Sequence, residues 1–227
     1  NGLRVHEIEL DEQYRCGGSA AYIRWVEQLL GLGDEAPAPW AGDEHFQLSV
    51  ADSPEELEQL LLAKEADGYS ARMAAGYCWP WSDPRPDDTL VADVAIEGWS
   101  RPWNVKGERR VGAAPPAALW ASDPAGVGQV GCVYTAQGFE YDWNGVILGP
   151  DLVWRDGSLV SNRLANRDPD FRSQKNVSDQ QFDDLVRNVY KVLLTRGMVG
   201  TVLYSTDPET RDALRALVSS SALRLPS

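Results

Sequence analysis

Apolar residues along the chain switch between two spacings, every second residue and every third or fourth, and the switches divide it into alternating strands and helices. Leu3, Val5, Ile8 and Leu10 predict a first strand. From Ser19 the spacing lengthens. Tyr22, Ile23, Val26, Leu29 and Leu30 form one helical face, Ser19 suits an N-cap, and Gly31 ends the run. Phe46, Leu48 and Val50 alternate again, predicting a strand over 45–50. Ser53, Pro54 and Glu56 then open a second helix with capping-box chemistry and proline at the first helical position. "ARMAAGYCW" predicts a strand, and further strands are expected near 129–134 and 145–149. Leu152-Val153-Trp154 and Leu159-Val160 flank Asp156-Gly157, a hairpin pattern. The strongest helix covers 179–196, where Phe182, Leu185, Val186, Val189, Tyr190 and Leu193 follow helical spacing until Gly197 breaks it. "GTVLYST" predicts a strand. Asp207-Pro208 starts a last helix with Leu214, Leu217 and Val218 inward.

Strands alternating with helices imply an α/β fold with a mostly parallel sheet and helices on both faces. Residues 83–128 depart from the pattern. They hold six prolines and three tryptophans, which marks a Pro/Gly/Trp-rich insertion or a functional loop, with a polar solvated insertion favoured. Residues 161–178 are polar and irregular. With 227 residues, 43% hydrophobic, the chain supplies one core, so 1–227 reads as a single domain carrying that insertion and a β-hairpin excursion.

Composition narrows the function. No run of eighteen apolar residues exists, so no membrane span and no membrane partner are expected. Cys16, Cys78 and Cys132 are odd in number and set in apolar surroundings, which suits buried free thiols in a reducing cytoplasm. With only His6 and His45, and no Cys-x-x-Cys, no metal site is expected. A net charge of −13 opposes phosphate contact. The charge serves solubility, or nucleic acid is held by a local patch or by a positive surface elsewhere. The chain opens on Asn1 with no signal-peptide pattern and reads as a piece of something longer, expected to be monomeric.

Three clusters carry chemistry. Gln13-Tyr14-Arg15 follows a predicted strand and precedes a capped helix, the carboxyl-end position where parallel sheets bind ligands. Its ring can stack on a base and its guanidinium can fork onto phosphate, or the pair can simply anchor the loop. In "VYTAQGFEYDWNGVILGPDL", Thr135, Gln137, Gly138, Glu140 and Asp142 crowd between two strand-like runs. Gly138 admits close backbone approach, and Glu140 suits sugar hydroxyls; a polar turn is the alternative. Arg196 follows Val189 by seven residues and Leu193 by three, continuing the buried stripe of its helix. There it needs an anionic partner, unless it only complements a helix end.

"LDEQYRCGGSAAYIRWV", "ARMAAGYCWPW", "TAQGFEYDWNGVILGPDL" and "VRNVYKVLLTRGM" resemble the Schlafen group 3-like DNA/RNA helicase family, of the superfamily I helicase and P-loop ATPase class. The resemblance runs from about Leu10 to Leu217. It implies a second, C-terminal RecA-like domain of an ATP-dependent helicase or translocase. By position, Gln13, Tyr14 and Arg15 would meet the nucleotide, with Tyr14 on adenine and Arg15 at the terminal phosphate. Glu140 would hold the ribose beside Gly138. Thr135 and Gln137 would couple the nucleotide to the nucleic-acid strand, and Arg196 would be the arginine finger. The nucleotide would be ATP with Mg2+, held mainly by a P-loop domain. That domain is an implied partner, together with DNA or RNA, because the chain has no Gly-x-x-x-x-Gly-Lys-Ser/Thr loop. "GYCWPW", Gly76 to Trp81, belongs with the narrower family, and its tryptophans read as packing ahead of base stacking.

Two rivals stand beside this reading. Asp168, Asp170, Gln174 and Lys175 have the residue types of a metal-dependent nuclease. The 84–128 loop, with Trp99, Trp103, Trp120 and the cations Lys106, Arg109 and Arg110, suits a protein- or nucleic-acid-docking module.

Overall fold

A computed structural model describes residues 15–219. The predicted first strand, Gln13 and Tyr14 lie outside the described residues.

In chain order the elements begin with α1 (Ala20–Leu30), β1 (Gln47–Val50), α2 (Pro54–Ala66) and β2 (Ala71–Ala75). The insertion carries the short hairpin β3 (Val94–Ile96) and β4 (Trp99–Arg101). Then come β5 (Val130–Gly131), α3 (Val133–Ala136), β6 (Tyr141–Leu148) and the hairpin β7 (Leu152–Arg155) and β8 (Ser158–Ser161). The chain continues through α4 (Pro169–Arg172), α5 (Asp179–Leu194), β9 (Gly197–Ser205) and α6 (Pro208–Ser219).

Five strands form one sheet in the order β1-β9-β6-β2-β5. Each pairing in it is parallel. β2 is buried at every position and β6 at all but Asp142, the signature of a sheet covered on both sides. One face packs Tyr22, Val26 and Leu30 of α1 with Val186, Tyr190 and Leu193 of α5 and Leu214 of α6. The other face packs Leu57 and Leu61 of α2 with Trp99 and Trp103 of the insertion against Met73, Trp143 and Ile147. This is the α/β, RecA-like architecture expected from the sequence.

Local signals set the helix ends. Ser19 Oγ accepts from the Tyr22 amide at 3.0 Å, and Gly31 ends α1 at φ 62°, the left-handed region. Ser178 and Gln181 close a full capping box on α5. At α2 half of the expected box forms. Ser53 Oγ accepts from the Glu56 amide at 3.1 Å, but the Glu56 carboxylate reaches past Ser53 to the Asp52 amide at 2.5 Å.

Four expectations change. The strand near 129–134 stops at Gly131, because the Cys132 carbonyl accepts from the amides of Thr135 and Ala136 and turns the chain into α3. The next strand starts at Tyr141 rather than 145. Its polar residues are satisfied from afar: Asp142 accepts from the Ser70 amide and hydroxyl, and Asn144 donates to the Leu193 carbonyl at 2.8 Å. Helix α5 ends at Leu194, so Arg196 lies beyond it. The insertion, finally, is packed in part: 83–89 and 106–110 are exposed, but its tryptophans are buried. Trp103 and Trp120 are fully buried.

Two ion pairs, each with one buried member, hold that insertion down. Arg72, only 2% exposed, donates to the carbonyls of Trp120 at 2.7 Å and Asp123 at 2.8 Å and pairs with Glu65 at 2.6 Å. Glu58 of α2 takes a two-pronged contact from Arg101 and a bond from Trp99 Nε1 at 3.1 Å. Removing Arg72 strips the Trp120 and Asp123 carbonyls of their donor and Glu65 of its cation. Arg72→Ala is therefore expected to lower unfolding free energy by about 2–4 kcal/mol in urea denaturation. A loss below about 1 kcal/mol would show that the insertion is anchored elsewhere.

Candidate nucleotide and nucleic-acid sites

β6 and β9 are neighbours, and Tyr141 stands opposite Gly197. The residues just before these two strands, Glu140 and Arg196, are therefore brought to one edge of the sheet. The junction is closed by the Tyr141 amide donating to the Arg196 carbonyl at 3.3 Å.

Arg15 joins them through a tight turn. Cys16 and Gly17 both take left-handed conformations, at φ 53° and 61°. Gly17 lies so close to β9 that a Cβ there would meet the Met198 carbonyl oxygen at 2.5 Å. The turn thereby lies against the start of β9, and its buried Cys16 feels the charges of Arg196, Glu140 and Arg15. Glu140 follows α3 through another residue with positive φ, Gly138 at φ 95°. No atom lies within 4 Å of a Cβ built at Gly138, so its requirement here is conformational.

Arg196 is 5% exposed. Its Nε donates to the Val192 carbonyl at 2.9 Å, and its terminal nitrogens reach the Phe139 carbonyl and Thr195 Oγ1, each at 3.4 Å. Among the described residues no carboxylate lies within ion-pair distance of it. Burial pushes its pKa down from the usual arginine value, and the neighbouring Arg15 adds to that, while Tyr141 and Glu140 oppose it. This is a buried cation held in place by neutral oxygens, with charge left over for an anion.

The strand after which Arg15 was expected lies outside the described residues; Glu140 and Arg196 sit at the amino-terminal ends of β6 and β9, and the Cys16-Gly17 turn after Arg15 packs against the start of β9. Glu140 and Arg196 are each the last residue before a strand, so the strand carries its chain away from the cluster.

The predicted nucleic-acid residues lie elsewhere. Thr135, beyond the carboxyl end of β5, is buried and accepts from Asn104 Nδ2 at 2.8 Å, which ties α3 to the insertion. Gln137 is exposed. Lys106 donates to the Trp81 carbonyl at 2.6 Å and approaches Asp83 at 3.3 Å. Arg110 pairs with Asp123. Arg109 is exposed and lines a cavity of about 470 Å³. Thr135 and Lys106 thus share a neighbourhood; neither belongs to the Arg196 cluster.

Sequence reasoning missed the polar knot behind that neighbourhood. Asp151, 1% exposed, accepts from the Tyr190 hydroxyl at 2.7 Å and Asn166 Nδ2 at 2.8 Å. Tyr190 also accepts from the Gly149 amide at 2.8 Å. The available signal was an acid three residues past the end of a buried strand, after Gly149 and Pro150. Of the acids of the nuclease reading, Asp168 is engaged in structure: it accepts from the Tyr134 hydroxyl at 2.8 Å and from the Asp170 amide at 2.9 Å. Among the described residues no group of three His, Cys, Asp or Glu is placed to hold a metal.

The parallel sheet covered on both faces defines an α/β, RecA-like domain. More particularly, residues 2–207 match the model described as Schlafen group 3, DNA/RNA helicase domain, and the chain belongs to that family. It is 25% identical over 221 residues to the uncharacterized protein YPL245W of Saccharomyces cerevisiae, covering 90% of this chain and 47% of that protein. The chain thus spans about half the length of the curated relative it matches. The C-terminal domain of a possible DNA helicase from Lactobacillus plantarum WCFS1 is similar at 12% identity with TM-score 0.35, covering 89% of this chain and 96% of that one. Among the described residues no helix is long and apolar enough to cross a membrane.

The three thiols are free and buried. Burial pushes Cys16 up to about 12 and raises Cys78 and Cys132 as well. Because the thiolate is the reacting species, none of the three should be modified by a thiol reagent at pH 8 in the native protein, and all three should react after denaturation. Fast native labelling of Cys16 would mean that the Arg15–Arg196 edge opens in solution.

Proposed function

We propose that the chain is the second motor half of an ATP-dependent helicase or translocase. In this reading Arg196 completes a nucleotide site whose P-loop and Mg2+ ligands come from another domain. The carrying observation is Arg196 itself, buried with neutral partners beside Arg15 and Glu140. Phosphoryl transfer places charge on the terminal oxygens, and a guanidinium fixed in advance stabilises that charge without rearranging. The carbonyls of Val192 and Phe139 supply the fixing. Arg15 would add charge at the terminal phosphate, Glu140 would take the ribose hydroxyls beside Gly138, and Tyr14 with Gln13 would hold the base. Thr135, Gln137, Lys106, Arg109 and Arg110 would meet the nucleic-acid strand. Three buried free thiols favour a reducing compartment such as the cytoplasm.

Arg196→Ala in the full-length gene product should lower nucleic-acid-stimulated ATP turnover by about 10³ or more, with nucleotide affinity much less changed. Arg196→Lys should not restore it, since an ammonium lacks the planar fork. Tyr14→Ala should instead weaken nucleotide binding, because stacking acts in ground and transition states alike. Steady-state ATPase and thermal melts of all three variants decide the matter. Normal melting with wild-type turnover in Arg196→Ala would reduce this arginine to a structural role. The chain alone, which lacks a P-loop sequence, should show negligible ATPase activity. Robust turnover by the isolated chain would overturn the division of labour.

A further inference from the structure

The Gly76–Trp81 segment leaves the carboxyl end of β2, on the opposite edge of the sheet from Arg196. Its base is rigid. A Cβ at Gly76 would lie 2.0 Å from the Tyr190 hydroxyl, and one at Gly149 would lie 2.4 Å from Cys78 Sγ, so both strands must leave the sheet as glycine. Above that base four rings assemble. Trp103 is the floor, fully buried, and its Nε1 donates to the Pro80 carbonyl at 2.7 Å. Trp79 is pinned by its Nε1 to the Ala95 carbonyl at 3.0 Å. Trp81 leans on Trp103 with ring centroids 5.6 Å apart and a 34° tilt. Tyr77 meets both edge-on, at 5.9 and 5.8 Å.

Packing accounts for Trp103 and leaves Trp81 over. Trp81 is only half-buried, and it lines two concave spaces, of about 470 Å³ and 390 Å³. Lys106 lines both with it and holds its ammonium 5.7 Å from the ring. The larger space is walled by Leu90, Val105 and Val111 with Arg109 among its lining residues; the smaller adjoins Tyr134 and Thr135.

We propose that Trp81 is a stacking platform for a base of single-stranded nucleic acid, with Lys106 and Arg109 facing the adjoining phosphates. This rests on the helicase reading and adds a binding residue to it. A flat indole between two hollows fits successive bases, and every base has a face to stack. Cations beside the ring fit a phosphate chain and not a basic or neutral apolar ligand. Asp83, Glu108, Asp168 and Asp170 also line the two spaces, so bulk electrostatic attraction is small here. Stacking must carry the affinity, and the salt dependence should be shallow.

The test uses the full-length gene product without nucleotide and fluorescein-labelled twenty-base strands, oligo-dT in one arm and oligo-rU in the other. Anisotropy titrations at several salt concentrations should show Trp81→Ala weakening binding about tenfold or more with the salt slope unchanged. Trp81→Phe should keep most of the affinity. Arg109→Ala should instead flatten the slope by about 0.7. Should Trp81→Ala melt early, the wild-type protein still decides: a strand bearing 5-iodouracil, irradiated and digested, should carry its crosslink on the peptide containing Trp81. Strand binding with Trp81→Ala indistinguishable from wild type, or crosslinks confined to other peptides, overturns the platform and leaves the Arg196 reading standing. Failure of the wild-type protein to bind either strand overturns both.

Discussion

Pairing of β6 with β9 is the contact on which the rest depends. Neither strand carries the charged groups, yet the pairing that sets Tyr141 opposite Gly197, one irregular step before Trp143 meets Gly200, also brings Glu140 to Arg196. A slip of one residue would turn the side chains of β6 to the opposite face and break the core on both sides at once. The register is held by burial of Trp143, Val146, Ile147 and Leu148 along one strand and of Val202, Leu203 and Tyr204 along the other. Small residues are required where the strands crowd: a Cβ at Gly200 would fall 2.7 Å from the Trp143 ring. The core therefore pins the positions of the two charged groups more firmly than any bond those groups make themselves.

Arg196 illustrates what that rigidity permits. A guanidinium removed from water without a counter-charge costs free energy, and carbonyl acceptors recover part of it. The surrounding structure over-determines the site. Tyr22 is fully buried, stacks on Phe46 at 4.0 Å and donates to the Leu194 carbonyl at 3.0 Å, which fixes the helix end two residues before the arginine. Thr195 Oγ1 donates to the Lys191 carbonyl at 2.8 Å and closes the last turn. The cost of the uncompensated cation is borne by α1, α5 and β9 together. An anion arriving from outside would recover it.

Whatever depended on neighbours in sequence was legible before the structure. The Ser19 cap, the Gly31 stop, the Asp156-Gly157 hairpin and the buried stripe of α5 each rest on residues a few positions apart. What depended on distant partners was not. The early start of β6 was hidden because Asp142 and Asn144 look like loop residues; their partners, Ser70 and Leu193, lie 72 and 49 positions away. The insertion looked solvated because Arg72 and Glu58, which bury its tryptophans, belong to β2 and α2. At the site, the residues were legible through family resemblance, whereas their meeting at the amino-terminal edge follows from strand order, which periodicity does not encode. Trp81 stood out as a residue type only; its half-burial between two hollows is a property of the folded insertion.

Two covalent stretches join the Arg196 edge to the Trp81 edge. One is the run from Thr135 to Glu140, which passes from α3 through Gly138, with its positive φ, to the start of β6. The other is α5. Its Tyr190 hydroxyl touches Gly149 and Asp151 behind the aromatic segment, and about one turn further on its Val192 and Leu194 carbonyls hold Arg196 and Tyr22. A single hydrogen-bonded helical turn does not stretch. Displacement of the Gly149–Asp151 turn must then move α5 as a body or break the Tyr190 bonds. Under the motor reading this gives coupling a physical carrier: a strand pressing on the carboxyl edge acts on the same rigid helix that aims the arginine. β1 and α6, which touch neither edge cluster, complete the cover of the sheet and stand outside that path.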